Sequence, residues 1–336
     1  MHEGAITEEL KGEDITVSNI VKASFKKVEK REKTEKKNSL IGRLLTSRIA
    51  LPLLTMLLIF AANVANNPNM MSYMGLRMKL NSTLPLIFAS LGQMFIILSG
   101  DCDMGNGYSI ALVNVIVGVL LTGNPLVGIV GLLIFIAAYM GMAALIHLRN
   151  IPAIVVTLGA QFVWYGIALI ICPTPGGKCP ELISNILRIQ TPVVPLPIII
   201  AVLAGLLCWF ILYRSRYGMV MRGIGNNPNS VERSGWNYLT AKMTNYGMAG
   251  LMVVLAGMTF TASCNGADAN SSVNYCMLSI ATVILGGCEM AGGIVEPAGV
   301  VIAIIREDLI PEEVDSTVPT MLQWKTQADA GSLYNT

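Results

Sequence analysis

The chain has 336 residues, 53% of them hydrophobic and 13% charged, with a net charge of +2. A soluble domain carries about a quarter charged residues, so a buried soluble core is the weaker reading, and so small a net charge selects no anionic partner. From 49 to 305 the sequence is mostly apolar runs of a length that crosses a hydrocarbon core of about 30 Å as an α-helix, which satisfies its own backbone polar groups there.

The first segment, 1–48, is basic: Lys22, Lys26, Lys27, Lys30, Arg31, Lys33, Lys36, Lys37, Arg43 and Arg48 outnumber Glu29, Glu32 and Glu35. Basic residues beside a first span stay in the cytoplasm, so the N-terminus is expected inside. A nucleic-acid arm is the competing reading, but the block abuts a span and no nucleic-acid partner is expected. The first apolar run begins near 49 and lacks a convincing cleavage site, so no signal peptide is expected.

Spans are predicted at 49–66, 83–99, 108–122, 126–147, 151–172, 191–213, 239–262 and 276–287, with a last apolar stretch at 292–305. The predicted fold is therefore an all-α, polytopic transmembrane bundle of about 8–9 apolar segments over 49–305, followed by a polar, acidic tail at 306–336. Alternation from an inside start places Arg149, Arg214, Arg216, Arg222, Arg233 and Lys242 in the cytoplasm, in line with the positive-inside rule. Arg77 and Lys79 fall outside and count against it. Pro52, Pro85, Pro152, Pro195 and Pro197 sit in or at the start of spans, where each removes a helix hydrogen bond. Ala137 and Gly141, and glycines 128, 131, 247, 250 and 257, offer flat surfaces for close helix packing.

Polar residues inside this apolar background are the functional candidates. Gly100-Asp101-Cys102-Asp103-Met104-Gly105-Asn106-Gly107 interrupts two runs with two carboxylates and three glycines. It reads either as a solvated loop or as an irregular segment dipping toward a pathway, because intramembrane carboxylates are costly unless used. On the fifth span Thr157, Gln161 and Trp164 share a helix face at i, i+4 and i+7, with Tyr165 beside them. Hydroxyl, amide and aromatic groups suit a neutral polyol, and interhelical hydrogen bonding explains them equally well. Gln93 and Asn114 admit the same two readings.

The stretch 217–237 predicts a two-turn cytoplasmic helix, with Asn227 as its cap, Pro228 at its first position and Gly235 as the left-handed residue that ends it. A helix so short needs a docking partner, or else the stretch is an ordinary surface turn. The chain has no Gly-x-x-x-x-Gly-Lys motif, so any ATP is hydrolysed elsewhere. It has no nucleophile elbow, and its two histidines and seven cysteines show no metal spacing, so neither catalysis nor a metal is expected. Cys172 and Cys179 bracket a loop in which a disulfide is open if that loop faces an oxidising space.

Three segments together resemble the permease subunits of ATP-binding-cassette importers for ribose, xylose and related simple sugars, a family that includes autoinducer-2 permeases. They are Leu98 to Gly107, with Asp103 and Gly107 on the family's aspartate and final glycine; Ile151-Pro152-Ala153-Ile154-Val155-Val156-Thr157-Leu158-Gly159; and Arg216-Tyr217-Gly218 with Gly225-Asn226-Asn227-Pro228, Ser234-Gly235, Leu285-Gly286-Gly287 and Gly292-Gly293. Asp101, Gly105 and Asn106 depart from the family's usual Gly, Ser and Val. The resemblance implies that the loop with Arg216, Tyr217, Gly218, Arg222, Gly225, Asn226, Asn227, Pro228, Glu232, Ser234 and Gly235 docks on an ATPase subunit that uses ATP and Mg. It further implies an extracytoplasmic sugar-binding protein, a second permease chain and a bacterial cytoplasmic membrane location. Gln93, Asp101, Asp103, Asn114, Thr157, Gln161, Trp164 and Tyr165 become candidates for the pathway lining.

The family also implies further spans after the Gly-Gly segment, whereas this chain turns polar at Arg306; a truncated chain and genuine divergence are both open. The stretch 292–305, about 21 Å as helix, contains Glu296 and Pro297 and is expected to be re-entrant. The rival readings are an ion-coupled secondary transporter, favoured by the Asp101 and Asp103 pair, and a degenerate, non-transporting membrane subunit.

Overall fold

The computed structural model describes Leu54 and residues 72–308 apart from 190, 192 and 193. The basic segment 1–48, the rest of the predicted span at 49–66 with Pro52, and 309–336 of the acidic tail lie outside the described residues. All described residues belong to the unit that runs from Arg48 to the end of the chain.

The helices in chain order are α1 (Tyr73–Leu98), α2 (Asn106–Val115, continued as a π-helix over Ile116–Leu121), α3 (Pro125–Arg149), α4 (Ala153–Ile171), α5 (Glu181–Arg188), α6 (Leu196–Arg214), α7 (Arg216–Asn226), α8 (Pro228–Arg233), α9 (Tyr238–Cys264), α10 (Tyr275–Leu285) and α11 (Pro297–Asp308). No strand occurs among the described residues. Among the described residues five helices, α1, α3, α4, α6 and α9, are long and apolar enough to cross a membrane. The all-α polytopic reading holds, and each span predicted from 83 onward has a helix within it.

Local chemistry sets the ends. Asn124 accepts from Leu126 N ahead of Pro125, Ser215 accepts from Gly218 N, and Asn237 accepts from Leu239 N and Thr240 N. Asn150 takes the left-handed conformation (φ 49°) that closes α3.

α1 is the centre of the bundle and starts ten residues before the expected 83. Arg77 and Lys79, which read as loop, are helical; Arg77 Nη2 donates to the carbonyls of Arg188 (2.8 Å) and Leu187 (3.5 Å), so its charge caps the end of α5. Pro85 lies inside α1 and deprives the Asn81 carbonyl of its usual donor; Ser263 Oγ, at the end of α9, reaches that carbonyl instead (3.1 Å), sharing its proton with Thr259 O of its own helix (3.0 Å).

Glycines set the close approaches. A Cβ at Gly257 would come 2.4 Å from Val113, one at Gly128 2.4 Å from Leu121, and one at Gly250 3.1 Å from Tyr139. Gly141 faces open space instead among the described residues.

Two helices, α2 and α10, fall short of a full span. α2 begins beside the middle of α1, where Asn106 Nδ2 donates to Ala89 O (3.3 Å). α10 begins beside the start of α2, where the carbonyls of Ser272 and Val273 crowd Gly107. With 11 residues α10 covers about 16 Å, short of a bilayer core. An irregular stretch, 99–105, leads into α2 from one end of the bundle. The stretch 265–274 leads into α10 from the other, where Gly176 and Ala267 bridge and Lys178 N donates to Gly118 O (3.0 Å).

Candidate functional site

The irregular stretch 99–105 is built from polar contacts with five helices, α1, α3, α4, α9 and α10, the last through Cys276 Sγ, 3.0 Å from Met104 O. Gly100 takes φ 77°, a conformation costly for other residues, and turns the chain back along α1. Asp101 Oδ2 then lies 2.7 Å from Lys242 Nζ and accepts from Tyr246 OH (2.9 Å), both on α9. The side chains of Lys242 and Asp101 are only 6% and 13% exposed, so this is a buried ion pair. Asn245 Nδ2 donates to Ser99 Oγ (2.8 Å) on the same helix. Two residues along, Asp103 Oδ1 accepts from Gly105 N (2.7 Å) and its Oδ2 from Tyr139 OH (2.8 Å) of α3, with Ser109 Oγ also 2.8 Å from that hydroxyl.

Thr157 of α4 receives Met104 N on its Oγ1 (3.1 Å). Gly105 is required here, because a Cβ would sit 2.8 Å from Thr157 O. Gln93 Nε2 reaches Cys102 Sγ (3.4 Å), and its Oε1 is buried without a partner among the described residues. Asn106 shows the same pattern: Nδ2 donates to Ala89 O and Ser279 Oγ, while Oδ1 is unpartnered.

The predicted lining residues therefore divide. Gln93, Asp101, Asp103 and Thr157 gather on the 99–105 stretch. Trp164 stacks 6.3 Å from Tyr139 and 5.5 Å from Phe135, its Nε1 unpartnered among the described residues. Gln161 and Tyr165 are half-buried at the edge of α4, with Tyr165 packed 5.2 Å from Tyr108. Asn114 lies apart, donating to Thr261 Oγ1 and Gly266 O and accepting from Asp268 N, all at 2.9 Å, and so fixes the 265–274 stretch.

The second region is the hairpin α7–α8. Two helices replace the single one expected, the second beginning at Pro228. It ends as anticipated: Gly235 takes φ 82°, Trp236 N donates to Val231 O (3.3 Å) and Gly235 N to Glu232 O (3.0 Å), the two bonds of a Schellman cap. One side of the hairpin is bound to the bundle. A Cβ at Gly218 would lie 2.2 Å from Ile211 O, and Arg222 Cζ sits 4.4 Å over the Tyr213 ring while Tyr213 OH donates to Val295 O (2.7 Å). The other side is open. Tyr217, Met219 and Trp236 are 63%, 70% and 39% exposed, and Met219, Gly223, Asn227, Val231, Ser234 and Trp236 help line a groove of about 310 Å³. Arg216, Asn226 and Glu232 are exposed around it, and Gly225 packs inward.

Lys242 is the main functional residue that sequence reasoning missed. It was counted as a cytoplasmic charge, but it is 5% exposed and paired with a residue 141 positions earlier. Its place in the first turns of an apolar helix, without a local acid, was the available signal. Cys172 and Cys179 are both free thiols, donating to Thr174 O and Pro180 O, and burial pushes the Cys179 thiol above its ordinary range. Among the described residues no group of three or more His, Cys, Asp or Glu side chains could hold a metal ion.

Residues 75–311 match the family described as branched-chain amino acid transport system / permease component. The chain belongs to this permease family. It is an integral membrane protein, as its apolar helices require. The chain is 24% identical over 239 residues to the autoinducer 2 import system permease protein LsrD of Enterobacter sp. (strain 638), covering 68% of this chain and 73% of that one. To the LsrD of Photorhabdus laumondii subsp. laumondii it is 24% identical over 275 residues, covering 79% and 82%. To the ribose import permease protein RbsC of Bacillus subtilis it is 28% identical over 224 residues, covering 64% and 69%. No solved structure matches the chain.

Proposed function

We propose that this chain is the permease subunit of an ATP-driven importer and forms the pathway for a small neutral sugar or related polyol across a bacterial cytoplasmic membrane, with its N-terminus inside. The observation that carries the reading is the two-sided hairpin α7–α8. Its inner side has glycine pressed against the bundle, and its outer side offers Tyr217, Met219 and Trp236 around an open groove. A rigid, aromatic, largely uncharged socket fixed to the spans suits a protein partner that must push on them. In this reading the partner is the ATPase subunit, which alone uses ATP and Mg, and the permease performs no catalysis.

A second permease chain completes the pathway. The outward face of α4 supports this: it is apolar and largely exposed, and among the described residues nothing stands before Gly159 and Gly166. Small residues admit a close neighbour. An extracytoplasmic binding protein delivers the substrate at the end that carries α5. The ion-coupled alternative loses its main support, since Asp101 is neutralised by Lys242 and Asp103 is held by Tyr139 and Gly105.

The test is co-purification of the tagged full chain, expressed with its neighbouring genes, in detergent. A nucleotide-hydrolysing subunit is expected to be retained by the wild type and lost from Tyr217→Ala/Trp236→Ala, while membrane insertion is unchanged. No ATPase in a well-folded wild-type preparation, or equal retention by the variant, would refute the assignment.

A further inference from the structure

Three distant parts of the chain meet largely backbone to backbone, with the Asn226 side chain beside Gly293. A Cβ added to Gly225 on α7 would lie 2.2 Å from Leu98 O, 2.2 Å from Gly293 N and 2.8 Å from Gly292 C. One added to Gly292 would lie 2.7 Å from Gly100 N and 3.0 Å from Gly225 Cα. Gly293 N donates to Leu98 O (3.0 Å), a carbonyl that α1 cannot satisfy at its own end. Gly100, Gly292 and Gly293 all take positive φ (77°, 91° and 79°), so no other residue holds this geometry at low cost.

Contacts between side chains can absorb a small displacement by changing rotamers, but contacts between backbones cannot. α7 is held at two points seven residues apart, about 10 Å along its axis: Gly218 against the end of α6, and Gly225 against this knot. Any tilt of α7 about Gly218 therefore moves Leu98 to Gly100 and Gly292 to Gly293 together. Leu98 to Gly100 leads straight into the stretch whose Asp101 is tied to Lys242.

We propose that α7 is a lever that moves the 99–105 stretch directly, that this stretch is the cytoplasmic gate, and that the Asp101–Lys242 ion pair is its latch. The proposal rests on the importer reading and assigns the moving part within it. Force applied at the exposed side of the hairpin reaches the gate through Gly225 without passing along the long spans. The stretch 99–105 then shifts against α9, and Asp101 parts from Lys242.

A native reporter lies inside the gate. Cys102 is 6% exposed, and its modification by N-ethylmaleimide can be read by peptide mass mapping separately from the other six cysteines. The experiment uses the full permease–ATPase complex in proteoliposomes, without nucleotide and trapped with ATP and vanadate. Cys102 labelling is expected to differ at least about fivefold between the two states, the low end of ordinary coupling between sites. Labelling of Cys208, buried on α6, stays constant. In Gly225→Ala the nucleotide dependence of Cys102 labelling is expected to disappear, and uptake to fall with it.

ATP-driven uptake by the wild type with unchanged Cys102 labelling overturns the lever and leaves the importer reading intact. Uptake that needs no ATP, or a complex that retains no ATPase, overturns both. The wild-type measurement decides the matter by itself if Gly225→Ala does not fold.

Discussion

Lys242→Met should be among the most damaging single substitutions in the bundle, and the damage should be reversed by a second one. Lys242 Nζ is 2.7 Å from Asp101 Oδ2, and the side chains are 6% and 13% exposed. Removing the ammonium leaves the buried carboxylate with one hydrogen bond, from Tyr246 OH. Breaking a buried pair in this way costs about 3–5 kcal/mol, or roughly 2–4 decades in the folding equilibrium. Asp101→Asn strands the cation instead and costs a similar amount. Replacing both charges by neutral groups of similar volume is often close to neutral, so Asp101→Asn/Lys242→Met should return to within about 1 kcal/mol of the wild type. Thermal unfolding of the purified chain in detergent reads this out. At roughly 2–4 °C per kcal/mol, each single variant loses roughly 6–20 °C, and the double variant recovers most of the loss. Single variants that melt with the wild type, or a double variant that sums the two losses, would refute the ion-pair account.

Two further substitutions probe the hairpin and the stretch. Gly235→Ala forces a side chain into φ 82° and should cost about 1 kcal/mol, whereas Gly141→Ala, on an open helix face of α3, should be neutral or mildly stabilising; paired thermal melts check the contrast. Tyr139→Phe removes a donor from the Asp103 carboxylate and should cost about 1.5–3 kcal/mol, as for hydrogen bonds to charged groups. Adding Asp103→Asn should reduce that loss, and equal melts for the single and double variants would argue against the bond.

Much of the bundle was legible because apolar runs report burial directly. α3, α4 and α9 lie within three residues of the spans expected from hydropathy. The early start of α1 was not legible, because Arg77 and Lys79 look like loop until Arg77 is seen capping α5. The 99–105 stretch was recognisable from its glycines and carboxylates, but what it binds was not. Lys242, Tyr246 and Tyr139 come from helices made much later in the chain, and no local pattern announces such pairs. From the sequence a helix is expected after Asn227 and none over α7, where Gly218, Gly223 and Gly225 lower helix propensity. Two of these glycines are there for backbone contacts with α6 and with Leu98, Gly292 and Gly293, which outweigh that penalty.

The bond from Ser263 to the Asn81 carbonyl has a consequence for how the protein is made. α1, at mean hydropathy 1.5, is the least apolar of the five membrane-length helices, and Pro85 leaves it one hydrogen bond short. The group that fills the gap is encoded 182 residues later. At 5–20 residues per second, a ribosome takes roughly 10–40 s to supply it. During that interval the helix that will become the centre of the bundle is incomplete in the membrane, and it is finished only when α9 arrives beside it.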